Sequence, residues 1–142
     1  MSPEILVVCA VIEREGKVLL GRRASGRSLA GKWELPGGKC EPGESAPQAL
    51  KRELREELGW ETSPQYSIGK VVTTDQGRSL SLEAWYTLAP STPPRAHVHD
   101  AFVWVDVKLL LQNSETNLSP GQLTLDELAP ADVPLLRAWL GS

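Results

Sequence analysis

Apolar positions in this 142-residue chain gather into short runs separated by polar punctuation. Residues 5–12 (ILVVCAVI) are β-branched and nearly continuous, the pattern of a central strand covered on both faces. Residues 13–16 (EREG) read as a turn and residues 17–20 (KVLL) as a returning strand. A helix follows between Ser45 and Gly59. Ser45 is its N-cap, Pro47 sits in its first turn, Gln48 completes a capping box, and Gly59 ends it in a left-handed conformation. Leu50, Leu54 and Leu58 define its buried stripe. Residues 61–67 read as a polar connection, residues 68–73 as a strand, and residues 74–77 (TDQG) as a hairpin turn. Arg78–Leu88 alternates most clearly, with Leu80, Leu82, Ala84, Tyr86 and Leu88 on one face and Ser79, Ser81, Glu83 and Thr87 on the other. Residues 101–106 (AFVWVD) predict a further strand, Val107–Gln112 a short helix, and residues 133–140 an amphipathic helix capped by Asp132. Residues 25–32, 89–96 and 112–121 are loops, the last an exposed excursion.

Strands on both sides of one helix, with another helix at the end, imply an α/β fold in which a mixed sheet lies between helices. With no repeat and no linker, residues 1–142 are expected to form one domain. A composition of 41% hydrophobic and 23% charged residues is that of an ordinary globular protein. The net charge of −3 repels a nucleic-acid backbone at long range, so no polymeric nucleic acid is expected as a partner. A small anionic substrate remains compatible, provided a metal and local arginines invert the field at the site. Cys9 and Cys40 form neither a disulfide framework nor a metal spacing, and they suit a reducing compartment. No apolar run approaches the roughly 20 residues that span a bilayer. A cytoplasmic protein without a membrane partner is the expectation, with monomer and homodimer both open.

Candidate chemistry centres on the helix. Glu53, Glu56 and Glu57 share i, i+3, i+4 spacing, so they project as one acidic patch. Two of them lie in the last turn, where the helix dipole disfavours anions by roughly 0.3–1 kcal/mol each. A hard divalent cation reverses that cost. A solvated face neutralised by Lys51, Arg52 and Arg55 is the alternative. Arg22 and Arg23 at a strand end are either surface charge or phosphate ligands.

The spacing is long and specific. Gly38, five residues, Glu44, seven residues, then Arg52-Glu53-Leu54-Arg55-Glu56-Glu57-Leu58-Gly59-Trp60 resembles the Nudix box, G-x5-E-x7-R-E-U-x-E-E-x-G-U. Only Trp60 departs, being aromatic where the family has a bulky aliphatic residue. The lead-in Trp33-Glu34-Leu35-Pro36-Gly37-Gly38-Lys39 resembles the family's as well.

The resemblance implies a Nudix α/β/α sandwich and an enzyme cleaving (deoxy)nucleoside triphosphates to monophosphate and pyrophosphate. It implies Mg²⁺ as cofactor, with Mn²⁺ as a substitute, held by Glu53, Glu56, Glu57 and the Gly37–Gly38 backbone, the Gly37 carbonyl foremost. The ion neutralises phosphate charge and lowers the pKa of a bound water. Glu53 is the expected general base, with Glu44 and Glu56 as alternatives. Arg52 would hold the glutamates in place, and Lys39 would orient the water or bind phosphate. Arg23 falls where MutT-type members contact substrate phosphates. Leu35, with Trp33, is a candidate for the base pocket, core packing being the alternative. Asp132 falls where MutT has a base-binding asparagine, the N-cap role being the alternative.

The family often places a further metal-binding glutamate before the Trp matched by Trp104. This chain has none, and Asp100 or a histidine is its substitute if there is one. Residues 10–20, 48–59 and 128–136 look more like the CTP pyrophosphohydrolase type than the MutT type, which acts on oxidised purines such as 8-oxo-dGTP. A longer excursion at 112–121 departs from the CTP type. Nudix enzymes of ADP-ribose or dinucleoside polyphosphates, and a non-catalytic nucleotide-binding domain, are the remaining alternatives.

Overall fold

A computed structural model describes residues 5–23, 31–75, 77–95, 99–112, 123 and 127–141. The expected loop at 25–32 and the excursion at 112–121 both fall largely outside the described residues. Among these residues, eight strands and three helices follow in the order β1 (Ile5–Val11), β2 (Glu13–Arg14), β3 (Lys17–Arg23), β4 (Trp33–Glu34), β5 (Gly37–Lys39), α1 (Ala46–Leu58), β6 (Ser63–Asp75), β7 (Arg78–Leu88), β8 (His99–Asp106), α2 (Val107–Gln112) and α3 (Asp132–Gly141).

One sheet has the order β5-β1-β7-β6, with β1 and β7 parallel and the other pairs antiparallel. In the second, β3 pairs with β2, β4 and β8, all antiparallel. The turn between β2 and β3 is two residues long, and both Glu15 (φ 52°) and Gly16 (φ 80°) take the positive φ that such a turn requires.

Alternation along β1 divides the core. Val8, Ala10 and Ile12 point one way, packing with Leu19 against Ala49, Leu50, Leu54 and Leu58 of α1. Cys9 and Val11 point the other way, joining Val18 and Leu20 against Leu110 of α2 and Leu135 and Leu136 of α3. The sheets are thus a mixed central layer between helices, as the sequence predicts. Full burial of each leucine of the α1 stripe contributes about 1.5–3 kcal/mol. Trp60 is also buried, its indole N–H donating to the Thr92 carbonyl at 3.0 Å, so an aromatic residue serves where the motif has an aliphatic one.

Several strand boundaries differ from expectation: Glu13 and Arg14 of the expected turn pair as β2, and β6 runs on to Asp75, into the expected hairpin turn. The polar connection at 61–67 is largely strand, because β6 begins at Ser63 and pairs with β7 through two bulges. Its polar residues find partners across the ladder: Ser67 Oγ donates to Glu83 at 2.7 Å, and Tyr66 stacks on Tyr86 at 5.2 Å. Likewise β3 runs on to Arg23, and β8 starts at His99 rather than Ala101. The polar face of β7, with Ser81, Glu83 and Thr87, is the buried one, while Leu80, Leu82 and Tyr86 on its apolar face are half-buried and Leu88 is exposed. Among the described residues no helix is long and apolar enough to cross a membrane.

Candidate active site

Helix α1 is fixed at both ends. Ser45 Oγ accepts the Gln48 N–H at 3.3 Å while the Gln48 side chain accepts the Ser45 N–H at 2.9 Å, the reciprocal capping box. Gly59 (φ 70°) closes the other end, its N–H directed to the Leu54 and Arg55 carbonyls. The apolar stripe seats α1 against β1, and its opposite edge meets the glycines of β5, where Gly37 pairs with Cys9 and Gly38 with Val8.

Those glycines are steric necessities. A Cβ at Gly38 would collide with the Glu53 carboxyl, and one at Gly37 with the Val8 carbonyl oxygen. The Glu53 carboxyl therefore lies directly on bare backbone. The Gly37 N–H donates to the Glu57 carboxyl.

The expected acidic patch divides. Glu57 is 7% exposed and its Oε2 has no partner, whereas the Glu56 side chain is 59% exposed. Burial, helped by the nearby charges of Glu53 and Glu34, pushes the Glu57 carboxyl up to about 8. Crowded carboxylates that cannot all ionise alone, one with an orphaned buried oxygen, fit a hard cation with oxygen ligands. Among the described residues no three His, Cys, Asp or Glu side chains form a ready metal cage. Glu53 and Glu57 converge beside the Gly37–Gly38 backbone, and Glu56 stands apart.

Arg52 ties the cluster together. Its guanidinium grips Glu44 by two bonds, Nε to Oε2 at 2.8 Å and Nη2 to Oε1 at 3.0 Å, and also reaches Glu53 at 3.0 Å, Glu56 at 3.3 Å and the Lys39 carbonyl at 3.0 Å. The Arg52 hydrogen bonds, with the Glu41 N–H, hold the Glu44 carboxyl below its usual range. Arg55 turns away to pair with Glu61, at 2.5 and 2.9 Å.

A cavity of about 500 Å³ opens beside this cluster. Glu57, Gly37, Gly38 and Lys39 line it, and so do Thr73, Thr74 and Arg78 of the β6–β7 hairpin. Val7, Cys9, Leu80 and Leu82 form an apolar part of the wall; Arg23, Glu34, Leu35 and Asp132 are among the other lining residues. Leu35 is 3% exposed, so it serves both the core and the cavity. Trp33 packs on the core, with the Arg22 guanidinium 5.6 Å from its ring centre.

Asp132 does not cap α3. It is the first helical residue, its own N–H donates to the Ala129 carbonyl at 3.0 Å, and its carboxyl accepts the Leu35 N–H at 2.8 Å. The turn at residues 129–132 opens the helix instead, leaving the side chain to face the cavity. Burial pushes its carboxyl up to about 7, against the opposing pull of the Leu35 N–H.

Sequence reasoning passed over Glu34, His99 as a buried residue, and Arg78. Glu34 accepts from Arg23 Nη1 at 2.8 Å and lies 2.8 Å from His99 Nε2. His99, 3% exposed, is no solvated loop residue. The Asp100 side chain lies outside the described residues. Glu34 was visible in the lead-in motif and Arg78 in the hairpin, yet only strand pairing reveals what each faces.

Glu53 and Glu57 thus sit on a helix held against the diglycine strand, beside a cavity that carries Arg23, Arg78 and Asp132. Residues 3–127 match the NUDIX domain, and the chain belongs to that family of hydrolases. Enzymes of the family use a divalent metal and act on small nucleotide substrates. The CTP pyrophosphohydrolase of Escherichia coli (strain K12) is 43% identical over 140 residues, covering 96% of this chain and 91% of that protein. A putative 8-oxo-dGTP diphosphatase 2 of Mycobacterium tuberculosis is 40% identical over 102 residues, covering 70% and 72%. The crystal structure of a MutT protein from Methanosarcina mazei Go1 superimposes with a TM-score of 0.80 at 25% identity, covering 99% of this chain and 95% of that one.

Proposed function

We propose that this chain is a Mg²⁺-dependent pyrophosphohydrolase that cuts (deoxy)nucleoside triphosphates to monophosphate and pyrophosphate, with cytosine nucleotides as its preferred class. The observation that carries the reading is the seating of Glu53 and Glu57 on the Gly37–Gly38 backbone beside a nucleotide-sized cavity. Similarity over nearly the whole chain to a CTP pyrophosphohydrolase supports the cytosine preference. Similarity to an 8-oxo-dGTP diphosphatase makes a sanitising role towards oxidised purines the second reading.

Glu53, Glu57, Glu56 and the Gly37 carbonyl, with Gly38 giving the space, would hold Mg²⁺. That ion supplies neutralisation of phosphate charge and activation of water. Glu53 takes the proton as water oxygen bonds to the β-phosphorus and the bridge to the α-phosphate breaks, leaving the monophosphate. Both oxygens of Glu44 are committed to Arg52, which favours Glu53 over Glu44 as base. Arg52 holds Glu53 in place. Arg23 and Lys39, both on the cavity wall, bind phosphate oxygens. Leu35 flanks the base, and Asp132, an acceptor when ionised, takes the amino group of cytosine. We read residues 1–142 as one such domain, cytoplasmic, acting as monomer or homodimer without polymeric nucleic acid or membrane as partner.

The test is initial-rate hydrolysis across normal and oxidised (deoxy)nucleoside triphosphates and ADP-ribose, with Mg²⁺ and after chelation. Pyrophosphate and monophosphate are read separately. The expected result is a metal-dependent preference in kcat/KM for CTP or dCTP. Preference for 8-oxo-dGTP replaces the cytosine reading with the sanitising one, and inactivity on every triphosphate overturns both.

A further inference from the structure

We propose that His99 is a positioning residue of this enzyme: through Glu34 it fixes the Arg23 guanidinium at the wall of the nucleotide cavity. Three strands bring the residues together. Register places Gly21 of β3 opposite Glu34 of β4, and Arg23 of β3 opposite His99 of β8. The β3–β8 ladder slips between Arg22 and Arg23, a bulge that re-aims the side chain after it.

Glu34 is the shared acceptor. Its Oε1 takes Arg23 Nη1 at 2.8 Å, and its Oε2 lies 2.8 Å from His99 Nε2. A carboxylate only accepts, so His99 Nε2 must carry the proton. Each oxygen of Glu34 thus has its own donor, and losing either frees the carboxylate to swing. Arg23 and Glu34 line the cavity, whereas the His99 ring is almost wholly buried behind them.

The ring itself is packed on two sides. It tilts against Phe102 with centroids 5.5 Å apart and lies on the bare backbone of Gly21, where a Cβ would come within 2.6 Å of its Cγ. A residue carrying a Cβ at position 21 would displace it. The glycine two residues before the phosphate-binding arginine therefore makes room for the histidine that steadies it. Almost wholly buried and outside the cavity lining, the His99 ring does not reach the cavity as a substitute for the glutamate this chain lacks before Trp104.

The catalytic consequence rests on the function proposed above. The test measures KM and kcat for CTP at saturating Mg²⁺ in wild type, His99→Leu, His99→Gln, Glu34→Gln and the Glu34→Gln/His99→Leu pair, with thermal melts for each. KM is expected to rise about tenfold in His99→Leu and in Glu34→Gln, with kcat moving less than about threefold. The pair is expected to be no worse than Glu34→Gln alone, since both act through one carboxylate. His99→Gln, which restores an N–H donor, recovers most of the lost affinity. A lower melting temperature with KM held within about twofold would mean a structural role and overturns the proposal. So does an increased Mg²⁺ requirement at constant nucleotide KM, the signature of a lost metal ligand.

A second arm needs neither turnover nor the leucine variant. By NMR of the free protein, the Arg23 guanidinium N–H signals exchange slowly with water in wild type, only slightly faster in His99→Gln, which keeps a donor to Glu34, and much faster in Glu34→Gln. Equal exchange in all three overturns the relay. A wild type that hydrolyses no triphosphate yet shows this order defeats the proposed function and leaves the relay standing.

Discussion

Leu35 and Asp132, 97 positions apart, meet in one hydrogen bond: the Leu35 N–H donates to Asp132 Oδ2 at 2.8 Å. That bond fastens the start of α3 to the link between β4 and β5 and sets one side of the cavity. It also makes Asp132 an ionisable group in a buried position.

The pH dependence follows from the sign of its shift. Asp132 is raised from 3.8 to about 7, so between those values the native protein binds more protons than the unfolded chain. Stability from this residue is therefore highest at the acid end and falls as pH rises through about 7. Asp132→Asn keeps an oxygen for the Leu35 N–H and removes the charge. Its melting temperature should match wild type near pH 4 and exceed it by roughly 3 °C or more at pH 8. Calorimetry on metal-free protein checks this, and a gap that does not change with pH refutes the assignment.

Adjacent glycines should respond differently to alanine. At Gly38 the new methyl meets the end of a side chain, so the Glu53 carboxyl moves aside and folding survives. Turnover should fall about 100-fold, the scale of an ångström's misplacement of a reacting group. At Gly37 the methyl meets the Val8 backbone instead. Urea unfolding of Gly37→Ala should show a loss of about 3 kcal/mol or more.

Arg52→Lys retains a charge and loses the fork that grips Glu44 while reaching Glu53. We expect kcat to fall about 10- to 100-fold, because a single ammonium cannot replace that planar geometry. A lysine variant within twofold of wild type would show that charge alone suffices.

Glu53→Gln should preserve the circular dichroism spectrum and lower kcat about 1,000-fold, as expected for a lost general base. Glu44→Gln, whose role is to hold Arg52, should cost about tenfold. The reverse order in single-turnover rates would move the base to Glu44.

Local signals made much of this molecule legible. The capping box at Ser45 and Gln48, the leucine stripe and Gly59 fix α1 through contacts within a few residues, and the box motif rides on that helix. The unbroken apolar run of β1 announced its place between two helical layers. What sequence reasoning passed over lies in pairings between distant segments. Ser63–Ser67 look like loop until β7 is laid beside them. The Asp132 side chain resembles a cap until Leu35 arrives to claim it. Glu34 and His99 have no periodic relation at all, and three strands must assemble before they touch.

On the proposed function, the residues that cut and those that line the rest of the nucleotide cavity come from different stretches of chain. Glu53, Glu57 and Arg52 ride on α1 against β5, while Arg78, Leu80, Leu82 and Asp132 come from the β6–β7 hairpin and the start of α3. The two sets are joined through Leu35 and its neighbours in the lead-in. Natural drift, or a designer, can therefore retarget the enzyme to a new base by rebuilding the hairpin and that turn. The bond-breaking half would carry over without alteration.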